Sequence, residues 1–130
     1  MIHQKTNAIV IETLEKFPHK VHIKLGKILR DRGMTQGDLH RLTGLRVATI
    51  NELVNFKKKS LTVAHLIAIM VALRITDIRD LIEIEFDAEV ISYFNEENKI
   101  MNNGFTPDLL KTSEQNVRRL VAGAHAGVHN

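Results

Sequence analysis

Cysteine is absent from this chain of 130 residues, which removes disulfide frameworks, thiol nucleophiles and cysteine-ligated zinc fingers from consideration. Long hydrophobic runs are missing too. The longest strongly apolar stretch, residues 63–73, is too short to span a bilayer and is interrupted by His65. The opening residues MIHQKTNAIVIETLEKF set Glu12 and Glu15 close behind a short apolar run and lack a small-residue cleavage pattern, so they do not read as a signal peptide. No internal repeat or low-complexity block is visible. The expectation is a soluble, cytoplasmic protein without a membrane partner. With 44% apolar residues, the length allows one modest domain plus an extension.

Seven histidines are present, but His19 and His22 form the one close pair outside the C-terminal end, and no nearby carboxylate completes a site. Neither a metal nor a cofactor is therefore expected. His65 reads as a histidine at the exposed edge of an apolar helix. Glu83 and Glu85 sit in an acidic stretch with nothing to perturb them, which describes a wet face better than a general acid and base, so no enzyme is expected.

Charge is unevenly spread. Residues 20–59 hold ten Lys or Arg against Asp31, Asp38 and Glu52, whereas residues 77–97 hold eight acidic residues against Arg79 alone. Such polarity steers the basic half toward a polyanion and leaves the acidic half to face elsewhere.

Periodicity and stop signals divide the chain. Residues 6–17 predict a helix capped by Thr6 or Asn7, with Ile9, Val10, Thr13, Leu14 and Phe17 on one side, halted near Pro18. A second helix is predicted from Val21, with Leu25, Ile28 and Leu29 at helical spacing, ending at Gly33. Thr35 offers an N-cap hydroxyl and Asp38 the matching carboxylate, which predicts a helix over 36–43. Gly44 supplies a left-handed corner, and a further helix over 47–55 turns Ile50 and Leu53 inward. Thr62 can cap the run VAHLIAIMVAL, apolar on nearly every face and so expected to be surrounded by protein. Thr76 is expected to cap a last short helix with Ile78, Leu81 and Ile82 inward. Beyond it, Ile82, Ile84, Phe86 and Ala88 alternate with acidic residues, where helix and strand readings compete and helix is preferred. Val90, Ile91 and Phe94 continue toward Met101, Asn103-Gly104 breaks the pattern, and Thr106-Pro107 starts a helix to about Ala122, with a frayed end.

The most informative stretch is residues 35–53, TQGDLHRLTGLRVATINEL. A second helix is offered to a DNA major groove when the corner before it is tight and the contact between the helices is small and apolar. Leu39, Gly44, Leu45, Ile50 and Leu53 have the spacing this needs.

The longer run KLGKILRDRGMTQGDLHRLTGLRVATINELVNFKKKSLTVAHLIAIMVALRITDIRDLIE resembles the helix-turn-helix domain of the phage repressor and Cro proteins, the Xre family. The resemblance covers about residues 21–83 and rests on Thr35-Gln36 before Leu39, Gly44-Leu45, Thr49-Ile50, Leu66 and Leu73, and Ile75-Thr76 before Leu81. It implies an all-α fold: a five-helix repressor-like domain over 21–86, an N-terminal helical arm over 1–20, and a helical C-terminal extension over 87–130 for oligomerisation or partner contact. A homodimer on palindromic double-stranded DNA, regulating transcription as a phage or bacterial repressor does, is the implied function.

The resemblance also implies roles. Gln36 matches the glutamine that positions the protein on phosphate. Arg46, Val47, Ala48, Asn51 and Glu52 match the exposed front of the recognition helix: Arg46 for phosphate or guanine, Asn51 for adenine, Glu52 for cytosine, Val47 and Ala48 for a thymine methyl. Thr49 and Asn55 suit backbone contacts, and Lys57, Lys58 and Lys59 the flanking phosphates. Three features depart from the pattern, the first being that Val47 and Ala48 make the reading surface less polar than usual. His40 stands where a small alanine is usual, so its ring must tilt outward or the helices must part, and Phe56 replaces a common glycine. An alternative from another class is a protein-interaction module, such as an antitoxin or repressor antagonist, whose acidic residues 77–97 engage a basic partner.

Overall fold

The computed structural model describes residues 2–56 and 60–128 and sorts the chain into two compact units, Val21–Glu85 and the residues on either side of it. Lys57, Lys58 and Lys59, expected on phosphates, lie outside the described residues, as do the last two positions of the expected frayed end.

The central unit opens on strand β1 (His19–Ile23), which the chain enters two residues after helix α1 (Ile2–Lys16) has stopped short of Pro18. Val21 and Ile23 turn inward and Lys20 and His22 outward, the period-two pattern of a strand. Here the all-α expectation is corrected. Val21 does not start a helix, because β1 pairs with strand β2 (Ile82–Phe86) in a two-stranded sheet. The preference for helix at 82–86 is corrected with it. Lys24 donates its N–H to the Leu81 carbonyl at one end of the ribbon (2.8 Å), and the His22–Glu85 and Lys24–Glu83 ion pairs (3.0 and 3.1 Å) cross it.

Four α-helices carry the core of this unit: α2 (Leu25–Asp31), α3 (Gln36–Thr43), α4 (Val47–Val54) and α5 (Val63–Leu73). Leu25, Leu29, Leu39, Ile50, Leu53, Leu66, Ile69, Leu73 and Leu81 form one buried cluster. The fifth helix of the expected domain is a single 3-10 turn, Ile78–Asp80. Its cap is Asp77, whose carboxylate accepts the Arg79 N–H at 2.9 Å, and not Thr76. Leu81 is fully buried as expected, but Ile78 is exposed, since so short a turn covers one side only. Helix α5 also departs from expectation. Leu66, Ile69 and Leu73 are buried, while Val63, Ile67 and Val71, at intervals of four, are more than half exposed. Thr62 takes the N-cap position of α5 without a side-chain hydrogen bond.

In the second unit α1 begins at Ile2, four residues before the expected Thr6 cap. Helix α6 (Ala88–Ile100) follows Asp87, and Asn103 and Gly104, both at positive φ, turn the chain between Asn102 and Phe105. Thr106 then starts α7 (Pro107–Val128): its hydroxyl donates to Glu97 Oε1 (2.9 Å) and accepts the Leu109 N–H (3.1 Å). Helical backbone continues past Ala122 to Val128, where fraying was expected. Phe17, Phe86, Tyr93 and Phe94 make an aromatic cluster with centroid distances of 5.1–6.5 Å.

Candidate nucleic-acid interface

Helix α3 starts where the sequence says it must. Thr35, in extended backbone, accepts the Asp38 N–H on its hydroxyl (3.0 Å), and the Asp38 carboxylate accepts the Thr35 N–H (2.8 Å). Two of the four orphan donors at this terminus are satisfied reciprocally. The N–H and hydroxyl of Thr35, with Arg41 beyond them, hold the Asp38 carboxyl below its ordinary range.

At the other end of α3 the chain turns on Gly44, with φ of 76°, and its N–H closes on the His40 carbonyl at 2.8 Å. Three further bonds lock the corner. Thr43 donates its hydroxyl to the Leu39 carbonyl (2.8 Å) and accepts the Leu45 N–H (3.1 Å), while His40 donates from Nδ1 to the Leu45 carbonyl at 2.6 Å. A carbonyl can only accept, so this bond places the proton on Nδ1. His40 therefore tilts outward, is exposed, and clips α3 to the start of α4 without wedging the two apart. Sequence reasoning missed this clip, although a histidine four residues before the corner glycine was the available signal.

Beyond the corner, Arg46 takes the N-cap of α4 in extended backbone, with no side-chain bond to the helix. Ile50 and Leu53 are buried and anchor α4 in the core, as expected. Val47, Ala48, Asn51 and Asn55 occupy the opposite face at i, i+1, i+4 and i+8, all exposed, with Arg46 at its leading edge. Asn55 donates from Nδ2 to both the Asn51 carbonyl (3.1 Å) and Asn51 Oδ1 (3.2 Å), which orients the Asn51 amide. The remaining expected residues sit at the margins. Gln36 is half-buried at the first turn of α3 and Glu52 is half-buried beside the open face. Thr49 turns toward α5 and lines a cavity of about 100 Å³ with Leu45, Ile50, His65 and Leu66. Phe56 adopts φ of 47°, taking the left-handed conformation for which glycine is usual.

Not all of the basic excess is available to a ligand. Lys24 holds the Arg79 carbonyl and Glu83, Lys27 pairs with Asp31, Arg32 donates to the Leu73 carbonyl at 2.6 Å, and Arg41 pairs with Asp38. Among the described residues no three His, Asp or Glu gather as a metal site, and no helix is long and apolar enough to cross a membrane. Residues 24–87 match the family model of the Cro/C1-type helix-turn-helix DNA-binding domain. No curated protein and no solved structure matches the chain.

Proposed function

We propose that this chain, whose residues 24–87 match the Cro/C1-type helix-turn-helix DNA-binding domain, is a sequence-specific transcriptional regulator, a repressor of phage or bacterial type that binds palindromic DNA as a homodimer. What carries the reading is the exposed face of α4. It presents Arg46, Val47, Ala48, Asn51 and Asn55 together while Ile50 and Leu53 hold the helix rigidly from behind. Its composition matches base edges in a major groove: a guanidinium for guanine O6 and N7, an oriented carboxamide for adenine, small apolar groups for a thymine methyl. Gln36 and Asn55 position the domain on phosphates, Thr49 is withdrawn from that role because it turns toward α5, Glu52 accepts from a cytosine at the margin, and Lys57, Lys58 and Lys59 contact flanking phosphates. In this arrangement residues 21–86 read DNA and the flanks 1–20 and 87–130 serve pairing.

Selection of bound sites from a random DNA pool tests the proposal. A palindromic consensus is expected, and Arg46→Ala should lower affinity for it by about 1–3 kcal/mol. Replacing Lys57, Lys58 and Lys59 by alanine should weaken all sequences and flatten the salt slope. Binding unchanged by both substitutions would sink the assignment. One observation favours a second reading, a protein-interaction module: the apolar side chains of Leu42 and Val47 are exposed on α3 and at the front of α4. Absence of any salt-dependent DNA binding would favour it.

A further inference from the structure

Helix α7 turns a polar stripe toward α1. Its half-buried positions Asp108, Thr112, Asn116 and Arg119 recur at helical spacing and line the seam between the two helices, where Arg119 donates twice to the Glu12 carboxylate (2.6 and 3.0 Å). An amphipathic helix ordinarily packs through its apolar stripe. On α7 that stripe, with Leu110, Val117 and Val121, lies on the other side and stays about half exposed.

The seam is also open. Between α1 and α7 runs a groove of about 610 Å³, inside the size range of small-molecule sites, and all of its walls belong to the flanking unit. Ile9, Phe17 and Leu109 give it an apolar floor. The Thr112 hydroxyl and the Asn116 carboxamide line it half-buried, and among the described residues neither has a side-chain hydrogen bond. Partly desolvated polar groups left in this state favour a ligand that brings its own polar atoms.

Charge decides the sign of that ligand. The walls carry Lys16, Arg118 and Arg119 against Glu12 and Asp108; Arg119 holds Glu12, and Asp108 accepts the Tyr93 hydroxyl. Lys16 and Arg118 remain, one from each helix, exposed and without a carboxylate partner among the described residues. The Lys16 ammonium lies over the Phe17 ring, 5.5 Å from its centroid, and so sets positive charge directly above the apolar floor. A cationic ligand would meet like charge on both walls.

We propose that the groove between α1 and α7 is a binding site for a small amphipathic carboxylate, its apolar body on Ile9, Phe17 and Leu109 and its head on Lys16 and Arg118. The site lies outside the helix-turn-helix and goes beyond the regulatory reading without resting on it. It also meets a deficit. Among the described residues of the flanking unit Val90 is the one buried hydrophobic side chain, against nine in the central unit. A ligand that adds apolar contacts to the folded unit alone raises its stability by mass action.

Isothermal titration calorimetry of the full chain with octanoate and with 4-phenylbutyrate, in the absence of DNA, tests this. Saturable binding of one carboxylate per chain is expected, and octylamine, a cation of the same length, should not bind. Amide shift changes on adding octanoate should concentrate in residues 9–17 and 108–119. Lys16→Glu and Arg118→Glu, both at exposed positions, should each weaken binding by about tenfold or more, the scale of one hydrogen bond to a charged group. Arg118→Lys, which keeps the charge, should stay close to wild type, and circular dichroism checks that helicity is kept in every variant. Four results would each overturn the proposal: no saturable binding of either carboxylate, equal binding of octylamine, indifference to both charge reversals, or shifts centred on Leu45, Thr49 and His65 instead. Binding is read without DNA, so a chain that takes the carboxylate but selects no DNA counts against the regulatory reading alone.

Discussion

Asp38 both caps a helix and carries a pH dependence. Its carboxyl is held below the ordinary value of 3.8 chiefly by the Thr35 N–H and hydroxyl. A depressed folded value means that the ionised form stabilises the fold: the contribution is complete above the ordinary pKa and lost as pH falls through the lowered one. Asp77, brought down to about 2 by the Arg79 side chain, behaves alike over the interval from its ordinary 3.8 down to about 2. Asp38→Asn should therefore flatten the acid limb of a stability-versus-pH curve from urea unfolding, leaving the region above neutrality parallel to wild type. Thr35→Ala should cost about 1 kcal/mol in the same measurement. Gly44 offers a cleaner backbone test. A Cβ built there meets nothing within 4 Å, yet φ is +76°. Gly44→Ala should thus destabilise by about 1–2 kcal/mol through left-handed strain alone.

At the scale of elements, α4 separates stability from the proposed recognition by face. Ile50, fully buried, should cost about 2–5 kcal/mol of unfolding free energy when cut to alanine. Asn51→Ala, one residue on and exposed, should stay within about 0.5 kcal/mol of wild type in stability. If it reads an adenine, its loss appears as relaxed preference at one base position of the selected sites. Helices α3 and α4 were legible to within a residue because their determinants are local: the cap of Thr35 and Asp38, the corner at Gly44, the inward pair Ile50 and Leu53. The strand at Ile82–Phe86 was not. Its alternation was visible, but a strand is stable only with a partner, and the partner His19–Ile23 lies about sixty residues earlier. The expected helix around Ile78 shrank to one turn for a related reason, since Asp77 caps it at once and β2 begins at Ile82.

Considered as a whole molecule, the chain divides its work between a central unit with a complete core and a flanking unit without one. If residues 1–20 and 87–130 pair two chains as proposed, folding is coupled to association and the midpoint of thermal unfolding should rise with protein concentration, as differential scanning calorimetry over a tenfold range would record. Periodicity, caps and the corner glycine, which depend on neighbours within four residues, let the sequence by itself determine where α3, α4 and α5 lie and which face of α4 is presented. Tertiary structure alone decided the sheet, the outward clip of His40, the half-burial of Thr49 and Glu52, and which stripe of α7 faces α1. Each of these depends on what a side chain meets across space, and an apolar stripe in a sequence declares that it must be covered without saying by what.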